Sequence, residues 1–161
     1  RQVTAVMRDT ASKSINTQST WEFTDFPISI ALSKASNLVL VTGFISIALS
    51  GGNQNVRVGI RRNGSNVNGA MGGLSGFGAA KGSRRACHAE IGHNGDFFIS
   101  VLPIHFIDQP NTTEMLRYYP QFSHGSSASR TIYINRSEAD SPANAERGRA
   151  ISIMTAQEIV T

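Results

Sequence analysis

The chain has a single cysteine, Cys87, in 161 residues. That excludes an internal disulfide, and no CxxC spacing is present to hold a metal. Charge is also sparse, with Asp, Glu, Lys and Arg making up 16% of the residues. Lysine is scarce beside arginine. The formal net charge is +4 and the pI about 9.7, which permits weak attraction to anionic partners. The basic residues are dispersed, however, and only Arg61-Arg62 and Arg84-Arg85 are adjacent, so nucleic-acid binding is disfavoured. The longest apolar stretch is about a dozen residues, too short for a membrane-spanning helix. There is no internal repeat, no interdomain linker, no coiled-coil heptad pattern and no convincing helix.

Small and polar residues fill the gaps. Glycine occurs 15 times, and Ser, Thr and Asn are frequent, which suits a β-rich chain with many turns. The chain is organised around residues 37–50, its longest apolar run and one rich in Val and Ile. Val39, Val41, Ile45, Ile47 and Leu49 share one parity; Leu38, Leu40, Phe44 and Ala48 share the other. Strand side chains alternate between faces, so this strand is expected to be apolar on both. Gly43 mid-run and the Ser50-Gly51-Gly52-Asn53 stop argue against a helix.

About ten short alternating segments are expected as strands. They include residues 3–7, 20–26, 28–32, 56–61, 85–92, 96–102, 104–107, 115–122, 130–135 and 151–159. Pro27 and Pro103 read as strand breakers. Asn63-Gly64 and His93-Asn94-Gly95 read as hairpin turns, and Ser65–Gly82 and Arg136–Arg149 as loops. One domain spanning 1–161 is expected, with residues 1–18 as a candidate extended N-terminal arm. The fold class is all-β, an antiparallel sandwich of the jelly-roll kind. One face of such a sheet is normally wet. The second apolar face of the central strand therefore predicts burial against further copies of the chain.

Candidate chemistry is thin. His88, His93, His105 and His124 fit no metal-ligand spacing, and no Gly-x-Ser-x-Gly nucleophile elbow exists. No cofactor is expected. Asp108 and Glu114 are the only pair to consider as a glycosidase dyad, but Asp108 in Asp-Gln-Pro-Asn reads more simply as a turn residue. Glu158 reads as an outward strand residue or an ion-pair partner. Cys87 reads as a small buried hydrophobe. Trp21, Tyr118, Tyr119, Phe122 and Tyr133 could stack on sugars, but packing in a core or interface is favoured. Arg57, Arg61 and Arg62 are the candidates for an exposed basic face. Asn111-Thr112-Thr113 and Asn135-Arg136-Ser137 match the glycosylation pattern.

Several segments together resemble a family of phage virion proteins with a C1q/tumour-necrosis-factor-like jelly roll. They are residues 23–29, 37–44, 61–64, 106–113 followed by Tyr118-Tyr119, 134–137, and 149–159 with its Ser-x-Met-Thr-x-x-Glu-Ile ending. The resemblance covers most of the chain and is least regular across Gly69–Gly82. It implies a homotrimer on the outer surface of a tailed-phage particle. The protein would be a capsid decoration or head-fibre protein or, alternatively, the distal receptor-binding domain of a tail fibre. Its partners would be other virion proteins, in the capsid shell or fibre base, with a host surface glycan as a further partner. No enzymatic activity is expected, a polysaccharide-acting enzyme being the remaining alternative. Phe44, Tyr118 and Tyr133 are the candidate trimer-interface residues.

Overall fold

The apolar run forms the strand that its parity demands, spanning Leu38–Leu49 in a computed structural model that describes residues 1–16, 19–51, 54–63, 87, 89–93, 98–140 and 148–161. Among the described residues eleven strands are found: β1 (Gln2–Met7), β2 (Ala11–Ile15), β3 (Trp21–Glu22), β4 (Ile28–Ile30), β5 (Leu38–Leu49), β6 (Gln54–Asn63), β7 (Ala89–His93), β8 (Ser100–Asp108), β9 (Leu116–His124), β10 (Arg130–Ile134) and β11 (Ser152–Ile159). They form two antiparallel sheets. The first holds β1, β2, β5, β8, β10 and β11, and the second β3, β4, β6, β7 and β9. The protein is thus an all-β sandwich.

β5 is the inner strand of the first sheet. Along one side it pairs with β8 from Val39↔Asp108 to Ile47↔Ser100. Along the other it pairs first with β11, residues 38–44 against 159–153, and then with β10, residues 47–49 against 134–132. β10 and β11 are therefore collinear halves of one strand position, separated by the excursion 135–151. Outside them, β1 flanks β11 and β2 flanks β10. The residues expected to form an N-terminal arm are thus two strands of the sheet. β2 escapes the alternation rule because it sits at an edge, where Ser12, Lys13 and Ser14 are all exposed.

The core lies between the sheets. Val39, Val41, Ile45 and Ile47 of β5 are 0% exposed. They face Val56, Val58 and Ile60 of β6 and Phe122 of β9, all buried in the same cluster. Trp21, Phe23 and Phe122 close one part of it, with ring centroids 4.9, 5.7 and 6.4 Å apart. Phe26 is buried with them because the strand ends at Glu22 and the following turn re-aims the chain.

Pro103 does not break its strand. β8 runs through it, since β8 is an edge strand that bonds only to β5 within its sheet and an edge can accommodate a missing N–H. Gly64 of the Asn63-Gly64 turn, the Gly-rich 65–82 segment and Asn94-Gly95 of the His93-Asn94-Gly95 turn lie outside the described residues.

Candidate assembly face

The outer parity of β5 sets up one surface across the first sheet. The register gives it three rows. Val6, Ile153, Phe44 and Pro103 form one; Thr4, Thr155, Thr42 and His105 form the next; Gln2, Gln157, Leu40 and Ile107 form the third. The hydroxyls of Thr4 and Thr155 lie 3.1 Å apart, which confirms that these side chains share one face. Val101 and Ile151, both exposed, flank Ser46 beyond Phe44. Val6 is 41% exposed, Ile107 44% and Val101 51%, while Phe44 and Leu40 are half-buried. None of these rows carries Asp, Glu, Lys or Arg. The face therefore carries no acidic side chain, lysine or arginine in these rows and mixes apolar residues with Thr, Gln and His, and it is open in the single chain.

The three interface candidates separate. Phe44 sits mid-face. Tyr133 lies further along the same face, opposite Ala48 and Ser12, with the Arg136 guanidinium 4.5 Å above its ring. Tyr118 must be withdrawn as an interface residue. It is 0% exposed, inside the sandwich, and has no surface to offer a neighbour.

The arginines separate as well. Arg57 and Arg61 point outward from the second sheet, but both are ion-paired, to Glu90 at 3.0 Å and Glu22 at 3.5 Å. Arg62 is a correction. It shares the core parity of Val56, Val58 and Ile60, so β6 turns it inward. Its Nη1 donates to both carboxylate oxygens of Asp108, at 2.9 and 2.7 Å. The Tyr118 hydroxyl donates to Asp108 Oδ2 at 2.7 Å. Arg62, Asp108 and Tyr118 come from β6, β8 and β9, so this buried cluster ties the two sheets together. Asp108 is thus neither a turn residue nor open to a substrate. Glu114 is exposed on a loop, its own N–H bonded to Thr112, and the two do not form a catalytic pair.

Of the two readings of Glu158, the ion-pair partner holds, with its Oε2 3.7 Å from the Arg1 amino group, and the outward strand residue does not. The side chain faces inward, where its Oε1 accepts from the Ser33 hydroxyl at 2.6 Å, from Asn37 Nδ2 at 2.7 Å and from the Ser33 N–H. Those bonds, the Ser33 hydroxyl first, hold its carboxyl down to about 2. A carboxyl depressed in the folded state favours folding fully above its unfolded value, near 4.5. That contribution is lost as pH falls toward 2. Glu158→Gln should therefore flatten the fall in urea midpoint between pH 4.5 and 2. Identical slopes in the two proteins would show that the carboxylate does not anchor the Ser33–Asn37 turn.

Sequence reading missed Asn135. This residue is 0% exposed and has a positive φ of 61°. Its amide donates to Met7 O and Asp9 O at 3.0 and 2.9 Å, and its Oδ1 accepts from Ser152 Oγ at 2.7 Å. Asn135 therefore sews together the break between β1 and β2 and the break between β10 and β11. Asn at the end of an apolar strand, before a polar stretch, is the one signal that could have found it. Its burial also removes Asn135-Arg136-Ser137 as a glycosylation acceptor. Cys87 is half-buried, and burial pushes its thiol up, with the nearby Glu90 charge adding to the effect. Among the described residues no group of three or more His, Cys, Asp or Glu is placed to hold a metal ion.

No protein-family model matches the chain, and no curated protein sequence matches it. Solved structures are similar in part. A 2.6 Å structure of T=1 particles derived from infectious bursal disease virus shares 14% identity at a TM-score of 0.48, covering 100% of this chain and 36% of that one. The structure of the Gx strain of the same virus gives 13% and 0.47, covering 100% and 38%. A mutant VP2 protein of that virus, in derived T=1 particles, gives 16% and 0.47, covering 97% and 35%. The chain thus spans little more than a third of the length of these proteins.

Proposed function

We propose that this protein is a non-enzymatic structural component of a phage virion, carried on the particle's outer surface as a homotrimer. In this reading the sandwich is a jelly roll of the C1q/tumour-necrosis-factor-like kind, and the outer face of the first sheet is the contact between subunits. The observation that carries the reading is the uncharged face built around Phe44, on which Val6, Val101 and Ile107 stand exposed. Interface cores are depleted in charged residues. A face without net charge does not repel its own copy. The sequence resemblance along most of the chain supplies the virion setting, and the scarcity of charged residues agrees with a surface made for contact.

Within the particle, attachment to the capsid shell as a decoration or head-fibre protein is our first reading. A distal receptor-binding position on a tail fibre, meeting host glycan, is the second. Imaging labelled particles separates them. Label over the capsid supports the first, label at fibre tips the second, and label absent from purified particles overturns both.

Assembly is tested on the isolated chain. Light scattering should give three times the 17.3 kDa chain mass. Phe44→Glu would place a charge at the centre of the buried contact, where an unpaired charge costs several kcal/mol. We expect a monomer that is still folded by circular dichroism. A wild-type monomer at micromolar concentration, or a Phe44→Glu trimer, would remove this face from the reading.

A further inference from the structure

A second feature of the fold stands apart from the assembly face. His124 ends β9 and is 2% exposed. Its Nε2 lies 3.0 Å from the Ile15 carbonyl oxygen. A carbonyl can only accept, so Nε2 carries the proton. Its Nδ1 accepts from the Ser126 N–H at 3.2 Å. Each ring nitrogen thus has one assigned role, and both are satisfied by a neutral imidazole. Ile15 is the last residue of β2, in the first sheet, whereas β9 belongs to the second. The His124–Ile15 bond therefore fastens the edge strand of one sheet to the other sheet.

Among the described residues, the charged groups bonded at this corner are cationic or already engaged. From β6, Arg57 donates to the His124 carbonyl oxygen at 3.3 Å and pairs with Glu90 of β7 at 3.0 Å. From β10, Arg130 donates to Ser126 Oγ at 3.1 Å, which holds Ser126 in place. On β2 itself, Lys13 is exposed beside Ile15. Neither ring nitrogen is bonded to a carboxylate.

We propose that His124 is an acid-sensitive latch on the N-terminal strands. With the ring neutral, the latch is closed. A proton taken from solvent must bind Nδ1, the only ring nitrogen with a lone pair. The new N–H then points at the Ser126 N–H, donor against donor, with the Arg130 guanidinium bonded to that same serine and the Arg57 charge already paired with Glu90. The ring leaves the corner to be solvated, the bond to Ile15 breaks, and the end of β2 is released. Acid is the trigger because a second ring proton is what the closed corner cannot accommodate. β2 lies beside Tyr133 and Thr131 of β10, and its release would expose that strand's edge.

The test is hydrogen exchange of the full chain, read as protection factors of residues 11–15 with β5 as internal reference. Between pH 7.5 and 5.0, protection of β2 should fall at least tenfold relative to β5. His124→Gln keeps an amide N–H for Ile15 and does not titrate, so its β2 protection should be the same at both pH values. If that variant fails to hold β2 even at pH 7.5, the wild-type ring nitrogens decide the matter by NMR. Protonation of Nδ1 and loss of β2 protection at one common pH support the latch. Constant β2 protection down to pH 5.0, an equal fall in wild type and His124→Gln, or Nδ1 protonation without loss of protection overturns it.

Discussion

Asp108→Ala is expected to destabilise the fold by about 3–5 kcal/mol, the cost of leaving a buried charge without its partner. That is a large part of the roughly 5–15 kcal/mol that holds a domain folded. Arg62 is 9% exposed and Asp108 0%, so water cannot replace the lost carboxylate. The Tyr118 hydroxyl would lose its acceptor as well. Tyr118→Phe alone removes one hydrogen bond to a charged group and should cost about 1.5–3 kcal/mol. Burial first, then the Asp108 charge, raises the Tyr118 hydroxyl above its ordinary value of 10. The unfolded chain loses this proton near pH 10 while the folded one keeps it, so stability should fall as pH rises above 10, and less so in Tyr118→Phe. Urea midpoints for these variants, and for Asp108→Leu combined with Arg62→Met, check the account. The double variant should recover the part of the loss that comes from the stranded charge, because an apolar replacement of a buried ion pair leaves no charge unpaired, while the Tyr118 hydroxyl still lacks its acceptor. An Asp108→Ala protein within about 0.5 kcal/mol of wild type, the scale of a neutral surface change, would mean that the pair does not join the sheets.

How much of this was legible depends on which residues carried the signal. The two-faced parity of residues 38–49 set the central strand, its inner face and the outer face around Phe44. The same parity rule, applied two residues past Ile60, already points Arg62 inward. Charge pulls the reading outward, and only the partner on β8 shows why an inward arginine is tolerable. That partner is 46 residues away, and no local pattern links the two. Glu158 is a similar case, since its donors Ser33 and Asn37 lie more than 120 residues earlier in the chain. β2 was illegible for a different reason. An edge strand with both faces wet has no hydrophobic period to read. Asn135 holds the β1–β2 break through the backbone carbonyls of Met7 and Asp9, and a carbonyl leaves no mark in a sequence.

Gly43→Ala is expected to be the most damaging added methyl among the described glycines. Gly43 has φ +147°, a conformation that side chains rarely adopt. Its added Cβ would sit 2.0 Å from the Ile153 carbonyl oxygen and 2.9 Å from Met154 Cα. Both atoms are backbone of β11, directly opposite in the register, so no side chain can rotate away to make room. β11 must move off β5, and with it the pairings that hold β1. Backbone strain of about 1–3 kcal/mol adds to an overpacking cost of about 1–3 kcal/mol. The sum should appear as a fall of many degrees in melting temperature or as loss of soluble protein. Thr42→Ala, one residue away on the outer face, should stay within about 1 kcal/mol. The contrast with Phe44→Glu is the informative one. Gly43 governs whether β5 and β11 can lie side by side, and Phe44 governs what their outer surface meets. Gly43→Ala should therefore lose fold and assembly together, whereas Phe44→Glu loses assembly alone. A folded Gly43→Ala protein with unchanged melting would show that β11 can yield at this point, and the close approach of the two strands would then have no hold on the face they build.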